Sequence, residues 1–218
     1  MKISSLRSFS DFLAPAVWIV VALAVAAALW VPADTDPGLS PFSLTISDFA
    51  ALDRGGPIET MMALLGVASL ALLVVGHIRL PSLRGLPSVL LAVWAVGVVV
   101  AAVVPTDPLV TELSTPAHVH RYASIAAFVA LPAVGLLLAR RLDADHHARR
   151  TARSLRALSW AALAGAVVMA YSAGPGDREL IGLVERLLLG CEVVLLGLLG
   201  RYVQRRGPAF RRGPDLSR

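Results

Sequence analysis

The residues of this chain best suited to chemistry are a carboxylate, two imidazoles and a guanidinium near its middle: Asp107, His118, His120 and Arg121. Imidazole and carboxylate groups are ordinary ligands of divalent metals, and imidazole is an ordinary carrier of protons. A guanidinium binds phosphate through paired hydrogen bonds. Metal or proton binding and recognition of a lipid headgroup are therefore open to this group, beside a purely structural network of ion pairs.

A second polar group lies near the end of the chain. Glu185 and Glu192 are seven residues apart, which is nearly two helical turns, so both project from one stripe of a helix. Arg186 is turned by about 100° from Glu185 and needs a carboxylate on a neighbouring helix. Ionisable groups are costly in lipid, so the stripe is expected to face the protein interior, with Glu192 as an intramembrane carboxylate.

Six apolar stretches must position these groups. Each is about long enough to cross a hydrocarbon core of about 30 Å, which requires about 20 apolar residues. Hydrophobic residues make up 56% of the chain and charged residues 16%, a balance that excludes an ordinary soluble domain. The sequence predicts an all-α, polytopic membrane protein, a compact bundle of six transmembrane helices. The stretches cover residues 12–31, 58–77, 87–104, 119–139, 155–173 and 180–200.

The basic residues indicate how the chain faces the membrane. If the N-terminus is cytoplasmic, sixteen of the twenty Lys and Arg residues fall in cytoplasmic segments. The positive-inside rule therefore predicts that both termini are cytoplasmic. The net charge of +5 then reflects topology and attraction to anionic lipids at the cytoplasmic face, and nucleic acid is not an expected partner. The predicted parts are a cytoplasmic N-terminus (1–11), a transmembrane domain (12–200) and a basic disordered tail (201–218). A cleaved signal peptide in place of the first span is the alternative.

In this topology the polar groups share the outer side of the membrane. Asp48 comes from the first outer loop and Glu59 from the start of the second stretch. In that loop, residues 47–52 are expected to form one helical turn on the membrane surface, capped by Ser47, and Thr115 is expected to cap the fourth helix. The sequence predicts a polar funnel made of Asp48, Glu59, Asp107, His118, His120, Arg121, Glu185 and Arg186.

Three short segments carry a family resemblance: Val104-Pro105-Thr106-Asp107, the downstream His118 or His120, and Gly182-Leu183-Val184-Glu185-Arg186. Together they resemble a bacterial family known as domain of unknown function 998. The resemblance covers most of the chain and implies an integral protein of the bacterial inner (plasma) membrane with about six helices. It implies no settled biochemical activity. It also leaves open which histidine occupies the family position.

Three functions fit these features. The first is a non-enzymatic protein that binds a small molecule, a lipid or a partner protein through the outer funnel. The second is a metal-dependent intramembrane hydrolase or lipid-modifying enzyme using His118 or His120, although no His-x-x-x-His or Glu-x-x-His spacing supports it. The third is a cation- or proton-coupled transporter with Glu192 as relay, against which the lack of an evident internal repeat counts. No catalytic residue, metal ligand or cofactor is assigned from the sequence.

Overall fold

A computed structural model of the protein describes Ala22 and residues 40–52, 56–107, 112–146 and 148–206. All regular structure in these ranges is helical. The predicted N-terminal segment, the predicted first span apart from Ala22, and residues 207–218 of the predicted tail lie outside the described residues. The helices are α1 (Ile46–Leu52), α2 (Pro57–Arg79), α3 (Leu86–Val103), α4 (Thr115–Leu142), α5 (Arg149–Ala173) and α6 (Ile181–Arg206), with a short 3-10 turn at Pro81–Leu83.

Four of these helices, α2 to α5, are long and apolar enough to cross a membrane. They coincide with the second to fifth apolar stretches of the sequence. The last helix, α6, has 26 residues and continues past the predicted end at residue 200. It does so because Tyr202 and Val203 are buried in the core of the bundle.

Helices that follow one another along the chain pack side by side, and α6 closes the bundle against α5, α4 and α2. The core between them is apolar and includes Leu91, Leu131 and Leu138. One buried polar link joins α2 to α3. The indole Nε1 of Trp94 donates to the hydroxyl of Ser69 at 3.0 Å, and that hydroxyl donates to the Leu65 carbonyl at 2.8 Å.

The short helix α1 differs from its prediction in its cap. It is capped by Thr45 rather than Ser47. The Thr45 hydroxyl accepts from the Asp48 N–H at 2.9 Å, and the Asp48 carboxylate accepts from the Thr45 N–H at 2.8 Å, which is a capping box. One face of the helix is buried. Phe49 is only 2% exposed, because the apolar face of α1 packs against Ile58 at the start of α2.

The start of α4 needs a smaller correction. Its cap is Ser114, one residue before the predicted Thr115, and the Ser114 hydroxyl accepts from the Ala117 N–H at 3.3 Å. Thr115 and Pro116 are instead the first two helical residues. The correction does not alter the expected reason for the helix start, which is a hydroxyl cap followed by proline in the first turn.

Candidate functional site

The polar site forms at the end of the bundle where α1 lies beside the starts of α2, α4 and α6, hereafter the α1 end. Its central contact joins α6 to α1. The Glu185 carboxylate accepts a hydrogen bond from the Ile46 N–H, and Glu185 is only 3% exposed. Ile46 is the first residue of α1, where the backbone N–H has no acceptor within its own helix. Glu185 therefore caps a helix other than its own, and its carboxylate lies at the positive end of that helix dipole.

The chain leading into α1 caps α6 in return. The Phe42 carbonyl accepts from the N–H groups of Gly182 and Leu183, at 3.0 and 3.3 Å. Both donors lie in the first turn of α6 and would otherwise be unpaired. This approach requires glycine at position 182, since an added Cβ would lie 2.1 Å from the Leu44 carbonyl oxygen.

Arg186 binds the same chain segment, the residues that lead into α1. Its Nη1 donates to the carbonyl oxygens of Pro41, Leu44 and Gly182, at 2.6, 3.0 and 3.0 Å. Its guanidinium carbon lies 5.6 Å from the centroid of the Phe49 ring, within the range of a cation–π contact. The sequence directed attention to carboxylates on neighbouring helices. The acceptors are instead backbone carbonyl groups, and the sequence of side chains does not show which carbonyl groups will accept.

Asp48 pairs with an arginine that the predicted funnel omitted. The Arg178 Nη2 lies 2.5 Å from the Asp48 carboxylate, on a side chain that is 43% exposed. Arg178 belongs to the turn between α5 and α6, where Asp177, Arg178 and Leu180 have positive φ angles of 46°, 62° and 52°. Non-glycine residues rarely adopt this conformation. The pairing was missed because nothing in the sequence shows how the turn aims Arg178.

The two neighbouring histidines have different environments. His120 is 5% exposed, and its Nδ1 lies 3.0 Å from the Val104 carbonyl while its Nε2 lies 3.0 Å from the Ser47 hydroxyl. A carbonyl only accepts, so Nδ1 carries the hydrogen, and in the neutral ring Nε2 accepts from Ser47. His118 is exposed and stacks on Tyr122 at a ring separation of 6.2 Å. His120 is therefore the histidine that links α1, α3 and α4.

The remaining predicted residues lie around this core or away from it. Glu59 lines a small recess beside His120. The Asp107 carboxylate accepts from the Ser114 N–H at 2.7 Å and so holds the connection between α3 and α4. Arg121 is exposed. The structure thus brings Asp48, His120, Glu185 and Arg186 together around α1, with Glu59 adjacent. Within the described ranges, no three His, Cys, Asp or Glu side chains are grouped so that they could hold a metal ion.

Below α1 the bundle contains a cavity of about 230 Å³. It lies between α2, α3, α4 and α6, and its walls are mostly apolar, among them Leu65, Trp94 and Val98. Polar groups line it at the α1 end, where Ser47, Glu185 and Arg186 contribute. The sequence analysis did not predict this cavity, because a void arises from packing and has no residue signature.

Glu192 lies deeper in the bundle and is fully buried. It does not line the cavity, so it is separate from the polar groups at the α1 end.

Several apolar helices of membrane-spanning length, packed around buried polar groups, define a multi-pass integral membrane protein. Residues 13–202 match the family described as protein of unknown function (DUF998), and the chain belongs to that family. The predicted resemblance is therefore confirmed. No curated protein and no solved structure matches the chain.

Proposed function

We propose that this protein is a non-enzymatic membrane protein that binds an amphipathic small molecule or lipid. The apolar part of the ligand occupies the cavity between α2, α3, α4 and α6, and its polar group lies against α1. The cavity itself carries this proposal, because its walls are mostly apolar and its charged lining residues, Glu185 and Arg186, belong to the α1 end. Ligand sites are typically concave and apolar with a few convergent polar groups.

The volume sets the size of the ligand. At about 230 Å³, the cavity exceeds the apolar cavity of about 150 Å³ that accommodates benzene and falls below the range of about 300–1,000 Å³ for drug-sized ligands. A single short hydrocarbon chain or one small ring matches this space. A two-chain phospholipid does not fit inside.

The charges at the α1 end indicate the polar group. The two charged residues that line the cavity, Glu185 and Arg186, carry opposite formal charges, so the lining itself is balanced. A balanced site does not select strongly for an ion of either sign. An uncharged hydroxyl or amide headgroup, held by Ser47 and its neighbours, fits this balance.

The proposal includes an orientation in the membrane of a bacterial cell. We place the α1 end on the outer side of the inner membrane, with six spans and both termini in the cytoplasm. The positive-inside rule supports this. Among the described residues, the opposite end of the bundle carries the basic clusters, which would contact anionic lipids: Arg79, Arg84, Arg140, Arg141, Arg149, Arg150, Arg153, Arg156, Arg201 and Arg205.

Tryptophan fluorescence tests the proposal. Trp94 lines the cavity. In a variant with Trp18, Trp30 and Trp160 changed to Phe, all tryptophan fluorescence comes from Trp94 and so from the cavity wall. The probe is a single-chain alcohol brominated at the end of its chain, which quenches a tryptophan that it contacts. We expect saturable quenching in detergent-purified protein.

Gly190 provides the blocking variant. A Cβ added there meets no atom within 4 Å, and Gly190 lines the cavity, so the side chain of Gly190→Leu has open space at its base and reduces the cavity volume. It should abolish saturable quenching. The control is Gly165→Ala, whose added Cβ makes an ordinary contact of 3.4 Å with Leu188 outside the cavity. Quenching that rises linearly with probe, or that Gly190→Leu leaves unchanged, would show that the cavity binds no such ligand.

A further inference from the structure

The interface of α6 with α4 and α5 contains a polar site that is distinct from the cavity. Close packing at Gly135 of α4 shows how deep in the bundle this site lies. A Cβ at Gly135 would lie 2.1 Å from the Ser159 hydroxyl and 3.3 Å from the Leu195 side chain. Ser159 and Leu195 therefore lie at one level in the bundle. Glu192 is three residues before Leu195, less than one helical turn, so Glu192 and Ser159 are near one level.

Three oxygen atoms at this level have no hydrogen-bond partner among the described residues. They are the hydroxyl oxygen of Ser159 and both carboxyl oxygens of Glu192. Both residues are 0% exposed. Buried polar atoms in proteins are almost always hydrogen-bonded, so a group left without a partner calls for a functional or ligand-based reason. An isolated carboxylate in a membrane interior is especially costly.

No charged side chain of the described residues faces Glu192 from the helices around it. There is no Asp, Glu, Lys, Arg or His in α3 or in the central parts of the other three helices, which are residues 60–76 of α2, 122–139 of α4 and 157–172 of α5. On α6 itself, the nearest titratable groups are the partly buried Cys191 thiol, and Arg186 and Glu185, which are nearly two turns away at the α1 end. Nothing described here neutralises a carboxylate at position 192.

The number of oxygens distinguishes the possible ligands. Calcium takes about six to eight oxygen ligands and magnesium about six, so three oxygens cannot replace the hydration shell of either ion. A proton needs only one of them. We propose that Glu192 is an internal proton-binding site of the bundle, which carries its proton at neutral pH and exchanges it with water when α5 and α6 separate.

The position of the site explains why exchange and helix separation are coupled. Loss of the proton leaves a negative charge that needs water to stabilise it. Glu192 is fully buried, so water reaches it only if the packing around it loosens, and Gly135, Ser159 and Leu195 pack closely at its level. Protonation therefore favours the closed interface. This inference does not depend on the cavity or on its ligand.

Infrared spectroscopy of the full-length protein reconstituted in vesicles tests the proposal. A protonated carboxyl has a carbonyl stretching band that an ionised carboxylate lacks. We expect such a band at neutral pH in the wild type and in Gly190→Leu, and its loss in Glu192→Gln. Labelling glutamate with ¹³C at the side-chain carboxyl should shift the wild-type band, which assigns it to glutamate, and its loss in Glu192→Gln then identifies the residue.

Transfer into D₂O then measures exchange. The band should shift to lower frequency as deuterium replaces the proton. A wild type with no glutamate-derived band at neutral pH would show that Glu192 is ionised, which overturns the proposal. A band that persists unshifted after prolonged exposure to D₂O would also overturn it, because the proton would then be a fixed structural feature.

Discussion

The Glu185 carboxylate accepts a hydrogen bond from the Ile46 N–H, across 139 residues of sequence. In the opposite direction, the Phe42 carbonyl accepts from two N–H groups in the first turn of α6. The two helices thus satisfy the open backbone groups of each other. As a result, the helix that covers the cavity is held at its first turn by the buried Glu185 carboxylate, in addition to the contacts of Ser47 with His120 and of Asp48 with Arg178.

Replacement of Glu185 should separate the loss of charge from the loss of an acceptor. Glu185→Leu leaves the Ile46 N–H buried without a partner, and we expect it to lower the free energy of unfolding by about 1–3 kcal/mol. Glu185→Gln retains an acceptor oxygen and should cost about 1 kcal/mol or less. Thermal unfolding in detergent measures both. Equal losses for the two variants would contradict a capping role.

Gly182→Ala should displace the chain that leads into α1. The new Cβ would lie 2.1 Å from the Leu44 carbonyl oxygen and 2.4 Å from that of Pro41, and backbone atoms cannot move aside easily. Overpacking of this kind costs about 1–3 kcal/mol. Limited proteolysis should show faster cleavage within residues 40–52, whereas Gly165→Ala should cleave like the wild type. Unchanged cleavage in Gly182→Ala would contradict the close approach.

The two histidines should respond differently to substitution. His120→Ala removes a buried ring that bridges the Val104 carbonyl and the Ser47 hydroxyl, and we expect a loss of about 1–3 kcal/mol from the groups left unpaired. His118→Ala removes an exposed ring stacked on Tyr122 and should change stability by less than about 0.5 kcal/mol. Melting temperatures of the two variants test this, and a larger effect at His118 would refute it.

Two buried serines make a second matched pair. Ser69→Ala leaves the Trp94 indole N–H without its acceptor, so it should destabilise by about 1–3 kcal/mol. Ser159→Ala removes a hydroxyl that has no partner among the described residues and should be neutral or stabilising. If Ser159→Ala destabilised the protein as much as Ser69→Ala, the hydroxyl of Ser159 would have to be bonded in the native state.

The ion pair of Asp48 with Arg178 should contribute modestly and depend on salt. Arg178 is 43% exposed, so solvent screens the pair, and we expect a coupling energy of about 0.5–1 kcal/mol. A double-mutant cycle with Asp48→Asn and Arg178→Gln measures it. The coupling should decrease as ionic strength rises. A coupling that salt does not affect would indicate a pair more shielded than the structure shows.

The helical bundle could be predicted because apolar length is a strong signal. The stretches that became α2 to α5 are recognised by composition alone, and α6 extends further only because Tyr202 and Val203 continue its buried face. The first residues of the helices were harder to predict, as the caps Thr45 and Ser114 show. Neighbouring hydroxyl residues are nearly equivalent in sequence, and the backbone decides between them.

The candidate site could be predicted only in part. Polar residues in apolar surroundings pointed to Asp48, His120, Glu185 and Arg186, which do meet around α1. Their partners could not be foreseen, because many are backbone groups of a loop whose path depends on close approach at Gly182. The choice between His118 and His120 likewise depends on the rotation of α4, which a weakly amphipathic helix does not reveal.

The pairing of Ile46 with Glu185 also sets an order of events during biogenesis. At about 5–20 residues per second, a ribosome needs roughly 7 to 28 seconds to add the 139 residues that follow Ile46 up to and including Glu185. Throughout that interval the Ile46 N–H lacks the Glu185 acceptor and Phe49 lacks the Arg186 guanidinium. Seating of α1 is therefore a late step of insertion, and a nascent chain truncated before residue 185 would enter the bilayer with this end of the protein still open.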